Sequence, residues 1–404
     1  MTDNNMKLLG SDKVIQLADT LFYIFWAGFM CTVVVRYSNL TIPWLMYGLM
    51  PVMSLVCRAG VFITALIKEH DYSPRRLLWI GAFLIIAMLS YKGVGTINLL
   101  DAFLVVFLCK EIRFESFFKS MIWGLAVPFG IVVILGLFGF TNIVENFIII
   151  VTHKNEFGIT FGFVHEEAAS IFLYPVFLLA SLDAWRRGYR RRASIIMIAF
   201  SLILGMMSSD GGRIIAGILI GVILLIYNRQ ESKKGRERLD RICYYGAIIA
   251  PVFTAVSTYI LCYFDAVKNF IEEIWRSVAY RFIFGKMIIE NVPITLFGHY
   301  GVFLSGVENG DVTMYECDNL YICLPFYFGI IPTVFFFFMY YRVVRLYYRK
   351  QNTFMLIALA VTMLVCMMNN TIIREVPHSL FFILALCNIE ELAQKQGTTN
   401  VLTK

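Results

Sequence analysis

Three groups of residues in this chain have the types and spacing for acid–base chemistry or for holding an anion. His165 stands beside Glu166 and Glu167, an imidazole next to two carboxylates, any of which can accept the proton of an attacking hydroxyl. The run Ser208-Ser209-Asp210-Gly211-Gly212-Arg213 joins a glycine turn, rich in free backbone N–H groups, to an arginine at the head of an apolar run. Helix N-termini and the planar guanidinium fork both favour phosphate. A polar, charged segment of roughly fifty residues then runs from Asp265 to about Tyr321 between two apolar runs, far longer than a connector needs. It holds Arg281 and ends in Cys317-Asp318-Asn319-Leu320-Tyr321.

Each group also has a plainer structural reading. Val267 to Phe282 reads as an amphipathic helix with Val267, Phe270, Ile271, Ile274 and Val278 on one stripe. At about 100° per residue Arg281 falls roughly 20° from Ile274, so it either snorkels to the interface or faces a polar cavity. Glu166 and Glu167 open the next helix, where acids suit the dipole, whereas His165 has no capping preference there. Arg213 can be a snorkelling residue after a plain turn. Soluble-enzyme motifs are missing: there is no GxxxxGK[ST], HExxH, GxSxG or GxGxxG. Arg58 and Asp101 lie within apolar runs, too few for a proton relay.

The elements that must position these groups are membrane helices. Hydrophobic residues make up 59% of the 404 positions and charged residues 16%, well below the roughly one quarter charged in soluble domains. We place helices near 17–35, 42–67, 77–91, 94–109, 119–140, 168–185, 193–208, 213–228, 242–264, 320–341, 353–369 and 376–391. The fold class expected is all-α, a polytopic bundle of about 12 spans forming a single integral membrane domain over 1–404. Every second connector is basic (Lys68 with Arg75 and Arg76; Lys110 to Lys119; Arg186 to Arg192; Arg229 to Arg241; Arg342 to Lys350). The positive-inside rule therefore predicts both termini in the cytoplasm and the loops 141–167 and 265–319 outside. The net charge of +7 is spread over these connectors, which argues against a nucleic-acid partner. Nine cysteines, most within or at the ends of apolar runs and none in a CxxC pair, support neither a disulfide framework nor a zinc site. The first apolar run continues to Val35, which reads as an uncleaved first helix.

Phe161-Gly162-Phe163-Val164-His165 resembles the Leu-Gly-Phe-x-His stretch of the bacterial repeat-unit polymerases of capsule, exopolysaccharide and O-antigen synthesis (Wzy type). Gly212-Arg213 is similar to their Ser-Arg helix start. Arg281, Leu296-Phe297-Gly298, Asp318-Asn319-x-Tyr321 and Gly329-Ile330 follow the order of their major loop, and Glu375 fits their late glutamate. Glu166-Glu167 replaces their Pro-Asn, Gly212 their serine, and His299 a common second glycine. The resemblance implies a glycosyl transfer at the outer face of the bacterial cytoplasmic membrane. A growing glycan would pass from its polyprenyl diphosphate to a hydroxyl of a lipid-linked repeat unit. It further implies Arg281 and Arg213 on the diphosphate, His165 as base or orienting group, and Asp318 or Glu375 as the alternative base. Lys154, His299, Asn319, Tyr321 and Arg374 join them as substrate-binding residues. No metal and no cofactor are expected, and the partners implied are the lipid-linked oligosaccharide, the bilayer, and the flippase and chain-length regulator of the pathway. A lipid-linked oligosaccharide flippase and a ligase of the same fold are the competing functions.

Overall fold

Proline and glycine decide where the long apolar runs of this chain stay straight. The computed structural model describes residues 12–40, 42–69, 72–94, 104–140, 163, 167–207, 211–230, 232–274, 276–298, 304–308, 311–315, 319–368 and 380–387. Its helices are α1 (Asp12–Arg36), α2 (Trp44–Glu69), α3 (Pro74–Val94), α4 (Phe114–Leu137), α5 (Ala168–Arg186), α6 (Arg190–Met207), α7 (Gly211–Arg229) and α8 (Lys233–Tyr263). They continue with α9 (Asp265–Ile274), α10 (Arg276–Asn291), α11 (Leu320–Cys323, prolonged by a π turn over Leu324–Phe328), α12 (Ile330–Arg349), α13 (Thr353–Val365) and the short α14 (Leu380–Leu384). α2 and α4 also hold π turns, Trp44–Leu49 and Ile122–Ala126. Each of these two is followed by a proline, Pro51 or Pro128, whose missing N–H and ring clash fall on the carbonyl four residues back, Tyr47 or Gly124, inside the π turn. Widening the turn accommodates that clash.

Seven of the described helices are long and apolar enough to cross a membrane: α1, α2, α4, α5, α7, α8 and α12. The chain is a helical membrane protein, and the count of about 12 spans is not reached among the described residues. In its described part the expected span 94–109 is helical at Val94, which closes α3, and over 104–108, and 376–391 only over Leu380–Leu384. α13 has 13 residues, about 20 Å of helix against a hydrocarbon core of about 30 Å. The expected 320–341 helix is interrupted at Gly329, and the expected Val267–Phe282 helix is replaced by α9 and α10. α8 begins at Lys233, inside what reads as a basic connector, because the Ser232 hydroxyl accepts the Gly235 N–H at 3.1 Å and caps it. One departure from a purely helical chain lies in the long loop. Strands β1 (Leu304–Glu308) and β2 (Asp311–Tyr315) pair antiparallel with Glu308 opposite Asp311, joined by the turn-favouring types Asn309-Gly310.

The chain divides into two compact units. One comprises Met1–Ile80, Asp101–Arg229 and Val376–Lys404, the other Gly81–Leu100 and Gln230–Glu375. In the first, small residues let backbones meet. A Cβ on Gly28 would lie 2.8 Å from Cys57 Sγ, and one on Gly60 would strike the Phe25 ring, so α1 and α2 pack closely. The Gly217-x-x-x-Gly221 pair of α7 receives Ser201 and the Ser194 carbonyl of α6 in the same way. Residues 107–113 of this unit are secured by side chains. Arg76 Nε donates to Phe107 O (2.8 Å), Lys68 Nζ to Glu111 O (2.8 Å), and Lys110 N–H to Glu69 Oε1 (2.6 Å). Tyr72 donates to Leu108 O at 3.1 Å; burial pushes its hydroxyl up to about 12, so it stays a donor.

In the second unit α8, α12 and α13 pack together. Pro251 cannot donate to the Ala247 carbonyl four residues back, and the Tyr340 hydroxyl of α12 supplies that hydrogen bond at 2.6 Å. Thr353, at the head of α13, bonds Asp240 of α8 at 2.5 Å.

Candidate functional site

Arg213 is the residue of the first unit whose placement most needs explaining. It stands in the first turn of α7 and is only 3% exposed. Burying a guanidinium costs several kcal/mol unless hydrogen bonds and opposite charge replace its water. Here Nη1 donates to Ser170 Oγ at 2.8 Å and lies 3.7 Å from Glu167 Oε2. Ser170, fully buried, in turn donates to the Glu167 carbonyl at 2.8 Å. Glu167 occupies the N-cap of α5, yet its side chain makes no cap hydrogen bond and approaches the arginine instead. The heads of α5 and α7 thus meet through an arginine, a hydroxyl and a half-exposed carboxylate. Such a group can hold an anion, and its carboxylate can accept a proton.

Phe163, four residues before this carboxylate, is held by both its ring and its backbone. Its ring is fully buried, stacked on Phe129 of α4 at 5.0 Å and tilted against Phe172 of α5 at 5.8 Å. Its backbone bridges Ser38 and accepts from Asn39 Nδ2 at 2.7 Å. The central phenylalanine of the Phe161–His165 run is therefore an anchor between α1, α4 and α5. His165, Glu166 and Lys154 lie outside the described residues, as do Asp318, His299, Arg374 and Glu375.

In the second unit Arg281 sits half-buried on α10, in phase with Gly285, Ile288 and Val292, all buried. That face packs into a cluster with Cys262, Phe282, Ile322 and Phe326. Gly285 makes the fit possible, since a Cβ there would lie 2.3 Å from Ile322 Cδ1. The arginine is thus on the packed side of α10; the phase relation expected to Ile274 does not apply, because Ile274 belongs to the separate helix α9. The chain leaving α10 is clasped to the head of α12. Ile330 and Ile331 donate their N–H groups to Thr295 O (3.0 Å) and Leu296 O (3.1 Å), so the loop's carbonyls cap that helix. Gly298 (φ 82°) and Gly329 (φ 95°) lie where these backbones touch; a Cβ on Gly329 would stand 2.3 Å from Gly298 N. The motifs Leu296-Phe297-Gly298 and Gly329-Ile330 are two halves of one backbone contact.

Asn319 and Tyr321, read from the sequence as substrate-binding, are held by backbone partners in this unit. Asn319 is fully buried; Oδ1 accepts the Tyr321 N–H at 3.0 Å and Nδ2 donates to Met367 O at 2.7 Å. The Tyr321 hydroxyl donates to Met363 O at 2.7 Å. Both tie α11 to the last turn of α13 and so end the long loop. Ser170 escaped the sequence reading: one serine in Ala168-Ala169-Ser170-Ile171 carries no signal until Arg213 is seen to meet it. No group of His, Cys, Asp and Glu suited to a metal ion occurs among the described residues. No protein-family model matches the chain, and no curated protein or solved structure is significantly similar to it.

Proposed function

We propose that this membrane protein lengthens lipid-linked oligosaccharides, transferring a glycan from polyprenyl diphosphate to a sugar hydroxyl of a second lipid-linked unit. The observation that carries the reading is Arg213: a guanidinium held at the head of an apolar helix by one hydroxyl and one half-exposed carboxylate. The chemistry asks for two things, a cation to neutralise the departing diphosphate and a base for the attacking hydroxyl. Arg213 meets the first. His165, or Glu167 beside Arg213, meets the second. The acceptor oxygen bonds to the anomeric carbon, the bond from that carbon to the diphosphate breaks, and the proton passes to the base. Donor and acceptor each bring a diphosphate, and Arg281 is assigned to such a group as well. Asp318 and Glu375 stay as alternative bases, with Lys154, His299 and Arg374 as substrate contacts.

The test is the length distribution of surface glycan in cells whose own copy is replaced by Arg213→Lys or Arg281→Lys. Lysine keeps the charge and loses the bidentate fork, and a charged hydrogen bond is worth about 1.5–3 kcal/mol, so chain formation falls by one to two orders of magnitude. Accumulation of single repeat units on the lipid carrier is the expected outcome. Full-length glycan in both lysine variants removes these arginines from the reaction. Long chains left on the carrier identify a ligase instead.

A further inference from the structure

Arg213 and Glu167 stand beside each other without closing into a tight salt bridge. Nη1 and Oε2 are 3.7 Å apart, against about 2.7–2.9 Å for a charge-assisted hydrogen bond. Other ion pairs of the same compact unit do close. Lys68 Nζ reaches Asp19 Oδ1 at 2.7 Å, and Arg187 Nε reaches Asp183 Oδ2 at 2.8 Å. The obstacle here is Ser170. Its hydroxyl donates to the Glu167 carbonyl at 2.8 Å, which leaves a lone pair to accept from that same Nη1 at 2.8 Å. The carbonyl is fixed a second time by the Ile171 N–H at 2.9 Å, so the backbone beneath the carboxylate is held. The carboxylate itself is not. It makes no cap hydrogen bond, its side chain is 36% exposed, and among the described residues it accepts no hydrogen bond. Arg213, by contrast, is 3% exposed. An anion reaches a guanidinium so buried only where a neighbour gives way, and Glu167 is a neighbour with water within reach.

We propose that Glu167 is a placeholder anion beside Arg213, displaced by the diphosphate of the substrate, and that Ser170 keeps the pair loose enough for the exchange. The role rests on glycosyl transfer as the function, whichever group takes the proton. While the site is empty, the carboxylate offsets part of the cost of burying the arginine. A diphosphate brings more charge and more acceptor oxygens than one carboxylate at that distance, so it wins the exchange. Without the Ser170 hydroxyl, Nη1 loses an acceptor and turns to Glu167, and the closed pair neutralises the guanidinium that the diphosphate needs. The test measures binding of farnesyl diphosphate to the full chain in a neutral detergent, with farnesol as the probe without charge. The intact chain prefers the diphosphate. Glu167→Gln removes the competitor and tightens diphosphate binding by about two- to fivefold. Ser170→Ala weakens it by about tenfold or more. Adding Glu167→Gln to Ser170→Ala returns binding to at least the intact level, a reversal that a merely structural serine does not produce. A Ser170→Ala loss that persists in the double variant overturns the proposal, as does weaker binding in Glu167→Gln. Equal binding of farnesol and farnesyl diphosphate to the intact chain removes the diphosphate site itself, and the glycosyl-transfer role of Arg213 with it. If Ser170→Ala does not elute as the folded chain, Glu167→Gln alone decides: a gain supports the placeholder, and no change overturns it.

Discussion

Arg213 earns its burial through neighbours that are unremarkable in the sequence. Ser170 both accepts from the guanidinium and donates to the Glu167 carbonyl, so one hydroxyl locks the arginine to the head of α5. This geometry sharpens the competition for the base. If His165 takes the proton, His165→Gln slows chain growth by about 10²–10⁴-fold, and Glu167→Gln has the smaller effect. If Glu167 takes it, the order inverts. Rates measured for both variants at matched membrane abundance decide between them, and small equal losses would move the base to Asp318 or Glu375. Arg213 and Glu167 were legible as candidates because charge in an apolar chain demands a reason. What the sequence does not show for Asn319 and Tyr321 is their backbone partners, the carbonyls of Met367, just beyond α13, and of Met363 within it. Residue type alone cannot tell a partner in solution from a partner in the backbone.

At the scale of elements, hydropathy shows where helices lie but not what interrupts them. The starts of α5, α7 and α12 follow acids, glycines or a glycine clasp, while the π turns of α2 and α4 answer prolines two residues beyond their ends. Pro251 in α8 gives a test of this logic. Tyr340→Phe leaves the Ala247 carbonyl buried without a donor and costs about 1 to 3 kcal/mol in a reversible detergent unfolding titration. Pro251→Ala returns an N–H to that carbonyl, so in its background Tyr340→Phe costs markedly less. Equal costs in both backgrounds would show that the hydroxyl does not compensate the proline. The clasp of Gly298 on Gly329 was visible only as two short glycine motifs about thirty residues apart, since nothing local says that they touch.

For the whole molecule, composition and the recurrence of apolar runs were enough to read a helical membrane protein. Neither reveals a division into two units, because that rests on which helices pack together. The sidedness expected from the basic connectors is directly testable. A cysteine at Gly310, between β1 and β2 in sequence, is expected to react with an impermeant thiol reagent in intact cells, while a cysteine at Lys234 is not. Reversed labelling would put both long loops in the cytoplasm and take the reaction with them. Bond formation between lipid-linked units is measured by reconstitution. Purified chain in liposomes, supplied with one polyprenyl diphosphate-linked repeat unit, is expected to yield a ladder of longer lipid-linked glycans. One polyprenyl diphosphate is released per bond, and Arg213→Gln abolishes both products. Repeat units that stay single, or that cross the bilayer unjoined, would show that the protein does not join them.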